Sequence, residues 1–458
     1  MSSIFTKNFG VYNAKNFERY ITTFYGTVYM GIGRNRTWDT EPTAPTPTDT
    51  ANTFYQIWDD LIGLKKITAA DMNLVVPRID WTLGTTYSEY TENLQLFAKI
   101  EVEDIQYAYK FYVRNNKDQV FKCLYNNFGA ISTIMPEIDL GGQLPENAFI
   151  QTSDGYRWKY LYTIPPGLKE KFFTSDFMPV TNETIVSNTA TDGRIDIIKI
   201  ITAGSGFRSN TNSNSYNILT VTGNGSGANL TARVGTTAAN GANITGVNIL
   251  NGGLGYTKAT ISINDPLKLI GTQSANLVAV IGPPGGHGSD IEQELGASNM
   301  MISVNIEGDE GGTFPINSAE SVGFRQIVIL KDVLLANSQS ASLDKYRTTT
   351  KYQLSVPSGE FDHNETVYVG TSLATATFTG VVEHYDNAGY NLYLNNINGT
   401  VTTPATITGA ITGATAAILS VTEPDVKRYS GDLLYIDNTT KIVRTLEETE
   451  QLKLTLRF

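Results

Sequence analysis

Residues 154–166 read DGYRWKYLYTIPP, and the spacing of rings in this stretch leaves little freedom of fold. Tyr156, Trp158, Tyr160, Tyr162 and Ile164 occupy every second position. A helix would scatter them around its axis, whereas a strand gathers them on one face. Asp154-Gly155 supplies the turn that opens the strand, and Pro165-Pro166 ends the ladder for want of N–H donors. Arg157, Lys159 and Thr163 fall on the opposite face. The same period recurs at the C-terminus, where Leu452, Leu454, Leu456 and Phe458 alternate with Gln451, Lys453, Thr455 and Arg457. From Leu74 onward, period two dominates, so a mainly β chain is expected.

The exceptions lie near the N-terminus. Phe17, Tyr20, Ile21 and Phe24 recur at helical spacing and predict a helix over 14–25. A strand, Thr27–Ile32, and an extended Pro/Thr-rich loop from Thr37 to Thr50 follow. Phe54, Ile57, Trp58 and Leu61 form the stripe of a second helix from Asn52 to Leu64. Thr68 then stands where it can cap a short turn over Ala69–Asn73.

Two stretches differ in composition from the rest. Residues 190–285 are rich in Gly, Asn, Thr and Ala and contain a repeat: Ile195, Ile198, Ile200, Gly204, Gly206 and Phe207 match Ile244, Val247, Ile249, Gly253, Gly255 and Tyr256 in order. Each half closes on a similar segment, 228–232 and 275–279. Paired glycines before an aromatic imply a tight turn at positive φ with a ring over the adjacent core, hence a small β module of two similar halves. Residues 356–423 form the second stretch, with strands at Thr366–Val369, Thr375–Val382 and Asn391–Leu394. Both interrupt a better-mixed aromatic sequence, as insertions at surface loops do. The expected divisions are 1–189, 190–285, 286–355, 356–423 and 424–458.

Composition narrows the function classes. Lys and Arg number 34 against 45 Asp and Glu, a net charge of −11, which speaks against a nucleic-acid-binding surface. Cys123 is the sole cysteine, so neither an intrachain disulfide nor a cysteine zinc cage can form. The first twenty residues lack a continuous apolar run, and Ile195–Ile201 is too short to span a bilayer, so a soluble chain made in a reducing cytosol is expected.

No motif of catalysis emerges. His287, His363 and His384 have no ligand spacing, and His287, in a Pro-Pro-Gly-Gly turn, reads as a surface hydrogen-bonder. The glycines of 223–227 are not followed by Gly-Lys-Ser/Thr and open no helix, so a hairpin turn explains them better than a phosphate cradle. Asp309-Glu310 and Glu447, Glu448 and Glu450 read as solvated faces rather than catalytic carboxylate pairs. The aromatic row reads as one buried sheet face rather than a stacking platform. No enzymatic activity, metal or cofactor is expected, and the chain's work is to hold other surfaces together.

Several segments, taken in order, carry a resemblance. They are Gly33-Arg34 with Trp38 and the loop ending Pro47-Thr48-Asp49; Val75-Val76-Pro77-Arg78-Ile79-Asp80-Trp81; Asp154-Gly155-Tyr156-Arg157-Trp158-Lys159-Tyr160; Gly323-Phe324-Arg325-Gln326-Ile327; and Arg428-Tyr429-Ser430-Gly431-Asp432. In this order the chain resembles the baseplate wedge subunit of T-even-type contractile-tailed bacteriophages, the product of gene eight. The resemblance covers residues up to about 185, then 300–355 and 424–458; the two Gly/Asn/Thr-rich stretches look like additions.

The resemblance implies a layered β-sandwich core with a few helices in connecting loops, plus two inserted small β modules. It implies a homodimer that joins the products of genes six, seven and ten within a wedge, assembled in the host cytoplasm and residing in the virion tail baseplate. No nucleic acid or membrane insertion is implied, and family-shared contacts are expected on the helices near 14–25 and 52–64. The competing readings are a tail-associated glycan-binding adhesin or fibre-type protein, suggested by the polar β modules, and a virion enzyme degrading host polysaccharide.

Overall fold

The computed structural model describes residues 6–23, 26–91, 110–141, 145, 148–207, 216–235, 242–264, 272–316 and 322–458. The chain is mainly β, 44% strand against 12% helix, with several sheets in a sandwich-type architecture. It divides into two compact units. One comprises Met1–Ala14, Asn73–Met300 and Arg457–Phe458; the other comprises Lys15–Met72 and Met301–Leu456. They are called here the repeat-bearing and the barrel-bearing unit. Among the described residues no helix is long and apolar enough to cross a membrane.

The first amphipathic stretch folds as a helix, Lys7–Thr23, beginning nearly three turns before its aromatic stripe opens at Phe17; Phe24 lies outside the described residues. The second helix is Ala51–Asp60, capped by the Thr50 hydroxyl, which accepts the Thr53 N–H at 3.1 Å. It stops four residues short of the expected Leu64. Leu61–Lys66 is instead a strand held between Val28–Gly33 and Lys345–Arg347. The reason lies in its neighbours: a Cβ at Gly63 would stand 2.7 Å from the Phe314 ring, so that backbone lies flat in a sheet with no space for a helix. At the next turn, Ala69–Asp71, the Asp71 carboxylate accepts both the N–H (3.0 Å) and the hydroxyl (2.6 Å) of Thr68.

In the barrel-bearing unit five strands run in the order Lys345–Arg347, Leu61–Lys66, Val28–Gly33, Val322–Lys331 and Asp432–Arg444. Tyr29, Leu64, Val328 and Leu330 from this sheet pack on Ile57 and Trp58 of the capped helix. The same unit contains a closed six-stranded barrel, ordered Thr350–Leu354, Asn391–Gly399, Phe378–Asp386, Thr366–Val369, Ala405–Gly409 and Thr415–Thr422. Closure removes every exposed strand edge. The barrel has its own core, including Tyr352, Phe378, Leu392, Leu394 and Ile407. Thr350–Leu354, which lies before the change of composition at residue 356, supplies the strand that shuts it by pairing on both sides.

In the repeat-bearing unit the aromatic strand is Arg157–Thr163, the third of four in the order Tyr112–Arg114, Gln119–Tyr125, Arg157–Thr163 and Phe149–Gln151. Tyr156, Trp158, Tyr160 and Tyr162 are all buried, and Tyr156 stacks on Trp158 at 5.3 Å and 15°. The opposite face, which alternation alone would leave to solvent, is covered as well. Lys159 and Leu161 are both buried, because another layer of the same unit packs on that side.

The repeat folds as an intertwined pair. Ile195–Thr202, which opens the first half, pairs with Asn276–Ile281, which closes the second. Ile244–Leu254, which opens the second, pairs with Ser226–Val234, which closes the first. The middle strands, Leu219–Gly223 and Ala259–Ile263, pair with each other. This exchange relates the halves by an approximate two-fold, and neither has a core of its own: Ile195, Phe207, Leu230, Ile244, Val247 and Tyr256 form one cluster. Matching glycines take positive φ, 63° at Gly204 and 68° at Gly253. A Cβ at Gly204 would stand 2.7 Å from the Ala275 nitrogen, and one at Gly253 2.6 Å from the Ala228 nitrogen. Gly204→Ala and Gly253→Ala are therefore expected to destabilise this unit by similar amounts, about 1–3 kcal/mol each, read from denaturant midpoints. A neutral effect at either position would contradict the equivalence of the two turns.

Candidate functional site

In the barrel-bearing unit the residues that carry the resemblance are bound to their own chain. Arg34, at φ 60°, donates to Asp60 (3.1 Å) and lies 3.9 Å over the Trp38 ring. The Trp38 indole N–H reaches the Thr439 carbonyl at 2.9 Å. Arg36 and Asn396 also donate to Asp60, at 2.7 and 2.9 Å, so one buried carboxylate gathers three donors. Arg325 holds Glu41 through two nitrogens (3.1 and 3.0 Å) and the Asn35 carbonyl through a third (2.6 Å). Phe324 is buried, Gly323 lets the Ile442 carbonyl approach, and Gln326 donates to Asn438 at 2.8 Å. The Ser430 hydroxyl donates to the Lys427 carbonyl (2.6 Å) and accepts the Leu334 N–H (3.0 Å) beside Gly431, at φ 76°.

The repeat-bearing unit follows the same rule. The Pro77 carbonyl accepts from the Tyr112 hydroxyl at 2.8 Å. Arg78 and Arg114 clasp Asp80 at 2.6 Å each, while Arg114 also holds Asp118 and Lys169 joins the latter at 2.9 Å. Burial pushes Asp80 up, yet the two arginines outweigh it and keep this carboxyl below the usual range. The Trp81 indole donates to the Ser132 hydroxyl at 3.0 Å. Asp154 accepts from the Ser132 hydroxyl and from the Thr133 and Ile134 N–H groups, fixing the turn at Gly155. The Tyr156 hydroxyl donates to the Ala130 carbonyl, and that of Tyr160 bonds the Thr163 hydroxyl at 2.8 Å. These side chains bind the fold together; they do not converge on one place.

A different set of charges does converge. Lys122 and Lys159 are direct cross-strand partners, both on the covered face of the four-stranded sheet and both buried. Like charges so placed repel, and ammonium groups out of water need partners. Lys122 forms a close ion pair with Glu294, from the short helix Ile291–Leu295, and lies 4.4 Å over the Tyr90 ring. The other carboxylate oxygen of Glu294 accepts the Gly288 N–H. His287 Nδ1 sits 2.6 Å from the Lys122 nitrogen; an ammonium can only donate, so Nδ1 accepts and the ring proton is on Nε2. That Nε2 has no hydrogen-bond partner among the described residues. Lys159 sits 5.0 Å over Phe149, near Asp196, which is paired with Arg194 at 3.0 Å.

The shifts follow from this packing. Burial raises Glu294, but Lys122 and His287 outweigh it and bring it to about 2. Burial, and then Lys122, lower His287 to about 4. Burial lowers Lys159 to about 8 against the pull of Asp196, and burial raises Asp196 to about 6 against Arg194. The histidine expected on a surface turn is thus 3% exposed inside an ion cluster. Its Pro-Pro-Gly-Gly turn is real, with Gly285 and Gly286 at positive φ, but a turn signature does not reveal whether another layer covers it.

Beside this cluster the unit is open. Two adjoining recesses, of about 330 and 110 Å³, share Gln151, Arg157 and Ile197. The larger is also lined by Phe149, Arg194, Asp196 and Asn248, the smaller by Tyr125, Asn127, Phe128 and Arg233. None of these residues except Arg157 lies in the segments that carry the resemblance. Among the described residues no group of three or more His, Cys, Asp or Glu side chains converges to hold a metal ion. No protein-family model matches the chain, and no curated protein matches it either.

His287 takes a proton at about pH 4 in the folded chain and near 6.5 when unfolded, so its contribution is present above pH 6.5 and is lost as pH falls towards 4. The difference corresponds to roughly 3 kcal/mol at about 1.4 kcal/mol per unit. Relative to the parent chain, His287→Gln is expected to become progressively less destabilising as pH falls from 6.5 to 4, in urea titrations of the full chain. A pH-independent difference would contradict a neutral, buried imidazole.

Proposed function

We propose that this protein is a structural subunit of a phage tail baseplate wedge, non-enzymatic, acting as a homodimer that links neighbouring wedge proteins during assembly and during the rearrangement that triggers sheath contraction. What carries this reading is the fate of the resembling residues. Arg34, Trp38, Arg78, Asp80, Asp154, Arg325 and Ser430 each bond to other groups of their own unit. A subunit that transmits force needs such a braced frame and large contact faces rather than a reaction cleft, and permanent interfaces commonly bury about 2,000 Å² or more. The repeat module fits as an addition to that frame: its two ends meet where the Gly285 N–H donates to Asp192 at 2.8 Å, so the inserted chain leaves and returns at one point.

The test is co-assembly. The purified chain should scatter light as a dimer and co-migrate in size exclusion with the products of genes six, seven and ten of its own phage. It should also be present in purified virions. A version with 193–284 excised across the Asp192–Gly285 contact should remain dimeric. A monomer that associates with none of the three, or absence from the particle, would overturn the assignment.

A further inference from the structure

The recesses beside the buried ion cluster carry positive charge that no carboxylate among the described residues pairs with. Their ionisable lining comprises Arg157, Arg194 and Arg233 against Asp196, and Asp196 is paired with Arg194. Neither Arg157 nor Arg233 pairs with a carboxylate among the described residues. In a protein with a net charge of −11, two unpaired guanidinium groups facing one cleft are a local reversal of sign. Burial, and then the positive charge of Arg233, pull the Arg157 pKa below its ordinary value. An anion between the two would offset the repulsion felt by Arg157.

The backbone makes room for this arrangement. Arg233 stands directly across the ladder from Gly246, and a Cβ there would meet its Nε at 2.7 Å. Gly252, on the same strand, does likewise for Arg194, whose Nε a Cβ would meet at 2.9 Å. Two glycines in a strand normally weaken it; here each opens the space that an arginine fills. Arg157 is set by its register, opposite Tyr125 on one side and Gln151 on the other.

The remaining lining indicates what the anion is attached to. Gln151, Asn127 and Asn248 offer planar amides, each able to donate and accept. Phe128 lines the smaller recess, 67% exposed, edge-on to Tyr125 at 5.7 Å. Asn127 and Phe128 both take positive φ, 52° and 61°. A bulky residue in that region is strained, and such strain persists where the surroundings impose it, often at binding sites. The recess that holds Arg157, Arg233 and Phe128 is about 110 Å³; only with the adjoining 330 Å³ does the space reach the roughly 300–1,000 Å³ typical of small-molecule sites, and an aromatic face, amides and two arginines there suit a polar ring bearing a negative group. A bare acidic side chain would need neither the ring nor the amides.

We infer that this cleft, between Arg157 and Arg233 with Phe128 at its side, binds an anionic sugar, one bearing a carboxylate or a phosphate. The inference stands apart from the wedge assignment and holds whether or not the chain assembles into a baseplate. The test is calorimetric titration of the full chain with glucuronic acid, glucose 6-phosphate, glucose and inorganic phosphate. At least one charged sugar should bind, glucose and inorganic phosphate at least tenfold more weakly, and the tighter charged sugar identifies the substituent. Arg157→Gln should weaken binding by on the order of tenfold or more, the scale of a lost charge-assisted hydrogen bond. Gly246→Ala should also weaken it by displacing the far end of Arg233, with thermal melting to verify that the fold is kept. No binding at millimolar sugar, equal binding of glucose or inorganic phosphate, or unchanged affinity in a folded Arg157→Gln chain would each overturn the proposal. So would capture of a poly-glutamate peptide by a chain that ignores all the sugars.

Discussion

Lys122 and Glu294 are 172 residues apart in the chain and meet as an ion pair with almost no access to water. Taking both charges out of solvent costs several kcal/mol each, and their pairing, the Gly288 N–H on Glu294, and the His287 nitrogen and Tyr90 ring beside Lys122 offset that cost. The pair therefore imposes a condition on everything between its members. The chain leaves the four-stranded sheet, runs through the repeat module and returns at Gly285, and the Ile291–Leu295 helix then presents Glu294. Lys159, Asp196 and His287 are buried beside that pair, and burial is the largest influence on the protonation of each.

The repeat module meets this condition by exchange of strands. Each half opens with a strand that pairs with the closing strand of the other, so the module is complete only when both are present, and its first and last residues lie together. Such a unit can sit in a loop of another domain without displacing the strands on either side. The barrel in the other unit solves an equivalent problem by closure, taking Thr350–Leu354 as the strand that seals it. In both cases a Gly/Thr/Asn-rich chain with few charges buries enough apolar surface through many small contributions, and tight turns at positive φ keep the strands in register.

The polar residues divide into two kinds. Most of those that carry the resemblance form short networks, Arg34 with Trp38 and Asp60, Arg325 with Glu41, and Arg78 with Asp80 and Arg114, and they brace the fold. Two others, Arg157 and Arg233, have no carboxylate partner among the described residues and lie around an open cleft built partly from the repeat module. A braced frame and an unsatisfied cleft are compatible in one molecule, because the bonds of the first do not draw on the groups of the second.

Much of this was legible in the residues alone. The alternation of 154–166 and 452–456, the helix stripes, the repeat and its four turn glycines all depend on local geometry, and local geometry is written in spacing. What spacing could not supply was which face another layer covers. Helical periodicity carried the second helix on to Leu64, where a neighbouring ring and sheet partners make a strand; alternation set Lys159 opposite the rings without revealing the layer over it, and a turn signature put His287 at the surface. The candidate cleft was equally hidden, since Arg157 and Arg233 are ordinary strand residues until strand exchange brings their walls together; the one local hint was Gly246, a glycine in a strand with no turn to make. Spacing along the chain is enough for most of the elements and shows no familiar catalytic motif. Which charges are buried, which are paired and which stay open is set by folding, because burial and Coulomb attraction depend on distances across the chain that no stretch of sequence contains.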